Sequence, residues 1–193
     1  GRFQVPVFTG EMAASYHHRK ADPRGVIPDS MLHAASYPEN RLGLDAKFDL
    51  GAGFWVEAAV IHQDLDFTDL TFKSLLNAGM DYTFNLGNGL KLMTEAFGYL
   101  RASRPLGADE HVFYGLFSAT YPFTIIHNLS AMVFYDFTGN NLYRFLNWSM
   151  TYDRWNFYVM GFWNPERYRL YNFDTQTNLY SGWGFQLMAV FNH

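Results

Sequence analysis

The strongest constraint in this sequence is an alternation of apolar and polar residues with a period of two. In 41–50, written RLGLDAKFDL, every second residue is apolar and the residues between them are charged or glycine. On a helix this spacing would spread charge around the whole circumference, whereas on a β-strand it gives one apolar face and one charged face. The segment is therefore predicted to be a strand.

The same alternation recurs along the chain and predicts about ten strands. Most of the segments approach the roughly 9–11 residues that a tilted membrane strand needs, and they exceed the 5–6 or so that are usual in soluble proteins. Three segments have less distinct faces: 5–18, 54–63 and 111–121. The predicted strands are 5–18, 41–50, 54–63, 75–86, 90–101, 111–121, 128–137, 142–153, 155–164 and 180–191.

The predicted connections alternate between short and long. The short ones are 51–53, 87–89, 153–154 and the somewhat longer 122–127. The long polar ones are 21–40, 64–74, 102–110 and 165–179, and 138–141 is a short exception among them. Short turns at one end and long loops at the other are typical of outer-membrane barrels, where the short turns are periplasmic.

Composition narrows the class further. Charged residues make up 17% and aromatic residues 19% of the chain, against about 25% charged residues in ordinary soluble domains. The chain has no cysteine, which excludes disulfides and thiolate metal sites, and its net charge of -4 gives no basic surface that would favour nucleic acid. No apolar run reaches the roughly 18 residues of a membrane helix.

A soluble sandwich or a lipocalin-like barrel is the alternative, with the apolar face turned inward. The spacing of Trp155 and Trp163 favours lipid instead, because at about 3.3 Å per residue they lie roughly 26 Å apart along one strand face. That distance matches an apolar band about 25 Å tall with aromatic girdles at both edges. The opposite face mixes charges with large residues, such as Glu95 and Phe97, which suits a packed and partly wet lumen. The predicted girdle comprises Trp148, Tyr152, Trp155, Trp163, Trp183 and Phe191.

The predicted fold is therefore all-β, a closed antiparallel up-and-down transmembrane β-barrel of about ten strands. Closure is expected because each unpaired backbone group costs several kcal/mol in hydrocarbon. Residues 1–193 are expected to form a single outer-membrane β-barrel domain, either complete or as the C-terminal part of a larger barrel. An even strand number would put both termini on the periplasmic side.

The last predicted strand carries a family resemblance. Trp183, Phe185, Leu187, Ala189 and Phe191 alternate almost to the end of the sequence. This resembles the C-terminal signal strand of bacterial outer-membrane β-barrel proteins, and the hairpin pattern of the whole chain is similar to that of porin-like proteins. The resemblance implies the outer membrane of Gram-negative bacteria as the location. It also implies outer-membrane lipid, lipopolysaccharide, the barrel assembly machinery and other membrane proteins as partners.

The polar face supplies the candidate lumen. Acidic groups outnumber basic ones there, so a conducting lumen is expected to prefer cations. The alternative is an ion-pair network that holds the wall together, because a barrel of about ten strands is only slightly wider than one that side chains fill. The candidate lumen-lining residues are Glu11, His17, Arg41, Asp45, Lys47, Asp49, Glu57, Asp81, Lys91, Glu95 and Asp136.

Other residue patterns predict no catalytic, metal or cofactor site. His17 and His18 are adjacent, so on a strand they point to opposite faces and cannot easily share a metal ion. Ser118, His111 and His127 have no spacing that indicates a nucleophile with its base. The loop 165–172 interleaves Arg167 and Arg169 with aromatic residues; it could contact lipopolysaccharide phosphates, although a solvated loop is the simpler interpretation.

Three functions remain open at this point. The first is porin-like passive diffusion of small polar solutes or ions. The second is a non-conducting barrel that acts as an anchor or scaffold in a membrane complex, and the third is an outer-membrane lipid hydrolase. Because no catalytic arrangement is found, the chain is not expected to be an enzyme.

Overall fold

The computed structural model describes residues 1–22, 36–65, 68–166 and 180–192. Within these ranges the chain is all-β, and its strands form one antiparallel sheet in which each strand pairs with its neighbours in sequence. The strands are β1 (Arg2–Val7), β2 (Gly10–Ala21), β3 (Tyr37–Asp49), β4 (Gly53–Gln63), β5 (Phe72–Phe84), β6 (Leu90–Ala102), β7 (Glu110–Pro122), β8 (His127–Asp136), β9 (Asn141–Thr151), β10 (Trp155–Trp163) and β11 (Trp183–Phe191).

The sequence predicts about ten strands, and the described part of the chain has eleven. The predicted strand 5–18 divides into β1 and β2, because the backbone turns at Phe8, whose φ is 51°. The left-handed region is uncommon for a residue other than glycine, and it produces the tight turn that pairs Val7 with Gly10. The up-and-down order was predicted, whereas hydrogen bonds do not close the described strands into a barrel: β1 and β11 are the edges of the sheet.

The alternation of short and long connections is confirmed. The turns after β1, β3, β5, β7 and β9 are short, and the connections after β2, β4, β6 and β10 are longer. The connection after β8 is the short exception. Since neighbouring strands are antiparallel, the first group lies at one end of the strands and the second group at the other. We call these the short-turn end and the long-loop end.

The chain divides into two compact units. The first unit comprises Gly1–Gly79 with Ala96–Phe113, and the second comprises Met80–Glu95 with Tyr114–His193. Each unit is described by itself below.

In the first unit, the strand register resolves the two faces. Across β3 and β4, Leu44 pairs with Ala58, and Asp45 pairs with Glu57. Side chains that are directly paired share a face, so Ala58 lies on the apolar face and Glu57 on the polar face. The face of 54–63, ambiguous in the sequence, is thereby defined, and Trp55 lies on the polar face because it pairs with Lys47.

In the second unit, the register also assigns the faces of β7. Phe117 pairs with Val133, and Ser118 pairs with Met132. Phe117 is 48% exposed and continues the apolar face. Across β10 and β11, the pairs Trp155 with Phe191 and Trp163 with Trp183 put aromatic residues at both ends of the same face.

Burial in both units differs from the usual pattern of a water-soluble sheet protein. Large apolar side chains in the middle of strands are exposed, including Leu44 at 55% and Val56 at 56%. The buried side chains of the described residues include four polar or charged ones: Glu39, Ser74, Asp136 and Asn164. Buried polar groups require hydrogen-bond partners, which Glu39, Asp136 and Asn164 find in neighbouring residues.

In the described ranges, no helix has both the length and the apolar character to cross a membrane.

Candidate functional site on the polar faces

The most enclosed charged group lies on the polar face of the first unit, near the long-loop end. Strand register puts Arg19 of β2, Glu39 of β3 and Gln63 of β4 side by side, in the order Arg19–Glu39–Gln63. Each of these residues lies an even number of positions from the other polar-face residues of its own strand, so all three lie on the polar face. Arg41 is two residues beyond Glu39 on β3, so it lies on the same face.

The Glu39 carboxylate is fully engaged by its neighbours. Oε1 accepts hydrogen bonds of 2.6 Å from Nε of Arg19 and from Nε of Arg41. Oε2 accepts a hydrogen bond of 2.6 Å from Nε2 of Gln63. Glu39 is 1% exposed, whereas the two arginine side chains are 48% and 42% exposed. The buried carboxylate therefore holds two half-exposed guanidinium groups in place.

A pocket of about 240 Å³ opens beside this carboxylate. Lys73 of β5 adds a third cation to its lining, and Asp22 adds a second carboxylate. Lys73 feels the positive charges of Arg41 and Arg101 and the negative charge of Glu39. We refer to this cavity as the Glu39 pocket; it is lined by Arg19, Ala21, Asp22, Tyr37, Glu39, Arg41, Ile61, Gln63, Leu65 and Lys73.

Other predicted lumen residues of the first unit form a second polar cluster closer to the short-turn end. Arg2 makes a bidentate ion pair with Asp45, with distances of 2.7 and 2.8 Å. Gln4 donates a hydrogen bond to Glu11, which pairs with Lys47 across the strands. Asp45 is in turn paired with Glu57.

The remaining predicted lumen residues of this unit lie outside that cluster. His17 pairs with Arg41 across the strands and is exposed on the polar face. Asp49 accepts a hydrogen bond from the amide of Gly51 and so belongs to the turn between β3 and β4. Elsewhere in the first unit, Arg101 forms an ion pair with Glu110 at 3.0 Å across the hairpin of β6 and β7.

In the second unit, Asp81 and Lys91 form an ion pair of 2.8 Å near the short-turn end. Glu95 lies farther along β6 with the same parity as Lys91. Asp136 accepts hydrogen bonds through its Oδ1 from the amides of Thr138 and Gly139, at 3.0 and 2.8 Å. It therefore caps the turn that follows β8, although it has the parity of the polar face.

Aromatic rings occupy the polar face of the second unit near the same turn. Phe134 stacks on Tyr114 with ring centroids 4.9 Å apart, and Tyr143 lies 5.7 Å from Phe134 on its other side. Tyr143 is buried. Farther along the sheet, Asn164 is also buried, donating to the carbonyl of Tyr180 at 2.7 Å and accepting from the amide of Arg144 at 2.9 Å. This part of the polar face is packed rather than open.

The predicted girdle residues lie on the apolar face of the second unit. Trp155 contacts Phe191, with ring centroids 5.0 Å apart, and stacks on Phe157. Trp148 and Tyr152 lie on either side of His127 at this short-turn end. Trp163 pairs with Trp183 at the long-loop end, and both are exposed.

The structure does not bring the other candidates together. His18 is hydrogen-bonded to Asn40, its cross-strand partner, so His18 lies on the face opposite to His17. Ser118 is paired with Met132 on the polar face, whereas His127 contacts Trp148 on the apolar face. His111 belongs to the first unit, where its ring lies 5.5 Å from Phe113. Among the residues described, no group of His, Asp and Glu could hold a metal ion. Arg167 and Arg169 lie outside the described residues.

The sequence reasoning missed Glu39, Arg19, Gln63 and Lys73 as a group. The predicted strand ended at residue 18 and the next began at residue 41, so Arg19 was left outside any predicted strand and Glu39 was assigned to the connection 21–40. The missed signal was the alternation with a period of two. The polar series Arg41, Asp45 and Asp49 extends backwards to Glu39. The polar series Glu11 and His17 extends forwards to Arg19.

Comparisons of this chain with protein-family models, with curated proteins and with solved structures find no match.

Proposed function

We propose that this chain is the wall of an outer-membrane β-barrel, with its apolar faces in lipid and its polar faces lining a narrow path for small polar solutes or ions. Transport is porin-like passive diffusion, and the long loops are extracellular. The observation that carries the proposal is the reversed burial: Leu44 and Val56 are more than half exposed in the middle of their strands, while Glu39 is 1% exposed.

Water would penalise such a surface. At about 25 cal/mol per Å² of apolar area, the hydrophobic effect drives side chains of this kind inward in a soluble protein. In hydrocarbon the same exposure has no such penalty, and the backbone must instead be satisfied by strand pairing. The aromatic pairs Trp155–Phe191 and Trp163–Trp183, at opposite ends of one hairpin, fit the two interfacial girdles of a membrane barrel.

The proposal places a requirement on β1 and β11. Each has one strand partner among the described residues, so one edge of each presents unpaired backbone groups. Because hydrocarbon cannot satisfy these groups, both edges must gain a strand partner in the membrane. Pairing of β1 with β11 in a complete barrel, or pairing of each with further strands of a larger barrel, would meet that requirement.

Glu57 is the residue on which cation selectivity depends most directly. It lies on the polar face opposite Asp45, whose charge is already balanced by Arg2, and it is exposed. The described residues offer Glu57 no ion pair. A carboxylate without a paired cation contributes its full charge to the local potential, which attracts cations into a lumen.

The test is conductance of the purified protein in planar bilayers. Steady conductance steps with a reversal potential that indicates cation preference support the pore, and Glu57→Gln should reduce that preference. Asp153→Asn is the matched control because it removes one carboxylate from the turn between β9 and β10, away from the polar face. No conductance with correctly folded protein would refute the diffusion pore.

A non-conducting structural or interaction barrel is the second candidate, and a specific observation favours it. The aromatic cluster of Tyr114, Phe134 and Tyr143 occupies the polar face of the second unit near the turn after β8, and the ion pair Asp81–Lys91 neutralises charge near the short-turn end. A lumen packed in this way would act as an anchor or a scaffold. Absence of conductance in the experiment above is the result that would favour it.

A further inference from the structure

We propose that the Glu39 pocket binds a small oxyanion, a carboxylate or a phosphate, at the long-loop end of the polar face. This inference rests on the proposed function, because it takes the polar face to be the one that solutes meet. It adds a ligand class and a binding site to that function. Under the proposed orientation the pocket lies at the extracellular mouth.

The charge balance of the pocket favours an anion. Three cationic side chains, Arg19, Arg41 and Lys73, line it together with two carboxylates. The Glu39 carboxylate cannot serve as a ligand for a cation, since Oε1 and Oε2 already accept three hydrogen bonds. The pocket is thus a positive region on a face whose carboxylates otherwise outnumber its cations.

The arrangement of donors also suits an oxyanion. Arg19 and Arg41 bind Glu39 through Nε alone, so the bonds to Glu39 leave the two terminal nitrogens of each guanidinium group for other acceptors. A guanidinium fork matches the geometry of carboxylate and phosphate groups and often binds them bidentately. Glu39 acts here as a positioning residue, because it fixes both arginines before a ligand arrives and so lowers the ordering cost of binding.

Lys73 gives the site its third donor. Its side chain lines the pocket and is partly buried, and within the described ranges it makes no ion pair. Arg101 and Arg41 repel its ammonium group, whereas Glu39 attracts it. An anion in the pocket would relieve that repulsion, which is a reason for ligand binding and not only for structural pairing.

The size of the pocket limits the ligand. Its volume of about 240 Å³ is below the roughly 300–1,000 Å³ of pockets that enclose drug-sized molecules. A free phosphate or a short mono- or dicarboxylate fits within this volume, whereas an oligosaccharide or a peptide would extend beyond it. The ligand class is therefore a small anion.

Isothermal titration calorimetry of the folded full chain in detergent micelles, with inorganic phosphate and with succinate as probes, tests the proposal. Lys73→Gln should weaken binding of at least one probe by about tenfold or more, the effect of losing one charge-assisted hydrogen bond. Arg41→Gln should weaken it similarly. Lys73→Gln is the safer variant for folding, because it breaks no ion pair among the described residues.

The matched control is Lys47→Gln. It removes the same charge from the same polar face, but Lys47 pairs with Trp55 near the short-turn end and does not line the pocket. Equal weakening by Lys47→Gln and Lys73→Gln would overturn the site in favour of a general surface charge effect. Failure of both probes to bind the folded wild-type protein would overturn it as well.

The two proposals can fail separately. A conducting protein that binds neither probe contradicts the anion site and leaves the diffusion pore intact. A protein that binds phosphate through Lys73 and Arg41 but never conducts contradicts the pore and supports the site on a non-conducting barrel.

Discussion

Two single variants, each replacing one of two adjacent alanines of β4 by arginine, test which face of the sheet lies in lipid. Ala58 pairs with Leu44 on the apolar face, and Ala59 pairs with Gly43 on the polar face. Both lie at the middle of Gly53–Gln63. The two residues are identical and adjacent, and both are partly exposed, so Ala58→Arg and Ala59→Arg differ chiefly in the direction of the side chain.

The magnitude follows from the depth of Ala58. An arginine on the lipid face at the bilayer midplane costs about 2–4 kcal/mol, and this cost falls to about 0–1 kcal/mol near the interfaces. Ala58→Arg should therefore destabilise the folded state in a bilayer by about 2–4 kcal/mol, which is roughly a 30- to 700-fold change in the folded-to-unfolded ratio. Ala59→Arg should cost less than about 1 kcal/mol, because its guanidinium group reaches a polar, hydrated face next to Gly43.

Reversible folding into phospholipid vesicles, titrated with guanidinium chloride and followed by tryptophan fluorescence, measures both values. Wild-type protein and the two variants are compared in the same vesicles. A cost of Ala58→Arg that equals or falls below that of Ala59→Arg would refute the assignment of the apolar face to lipid. A larger cost for Ala59→Arg would indicate that the polar face is the closed interior of a soluble body.

Two further predictions concern single residues. Asp136→Ala should destabilise the protein by about 1.5–3 kcal/mol, because it removes the acceptor of the Thr138 and Gly139 amides. Asp136→Asn keeps Oδ1 and should cost less. Equal losses of stability in a denaturant titration would exclude the turn-capping role. In variants with one tryptophan left, brominated lipids should quench Trp163 and spare Trp55, since Trp163 is exposed on the apolar face and Trp55 pairs with Lys47 on the polar face; similar quenching of both would contradict the assignment of the faces.

The alternation of the sequence was sufficient to predict most strands and their faces. A period of two is directly coupled to side-chain direction, so segments such as Tyr37–Asp49 and Phe72–Phe84 were located within a few residues. The turn at Phe8 was missed because its positive φ belongs to a residue type that gives no turn signal. Alternation continues on both sides of that turn, so 5–18 resembled one long strand.

The functional site was harder to predict, because it depends on pairing between strands. Glu39 and Arg19 are 20 residues apart, and only the register of β2 with β3 makes them neighbours. For Asp136, alternation predicted the polar face but not the hydrogen bonds that its carboxylate accepts from two turn amides at the end of the strand. Period alone cannot distinguish these roles, since it contains no information about which residue lies opposite.

If the apolar face lies in lipid, as proposed, the register of the sheet needs a physical cause other than burial. In a soluble sheet, burial of apolar side chains helps to select the register. In hydrocarbon, a shift of one strand by two residues keeps every apolar side chain on the lipid side. The apolar face therefore distinguishes the native register from the shifted one only weakly. The polar face distinguishes them strongly: moving β2 by two residues against β3 would bring Arg19 opposite either Arg41 or Tyr37 instead of Glu39. Because like charges directly opposite each other destabilise a sheet, Glu39 favours the native register of this part of the sheet, and the two arginines that it holds in place are among the residues that line the proposed anion site.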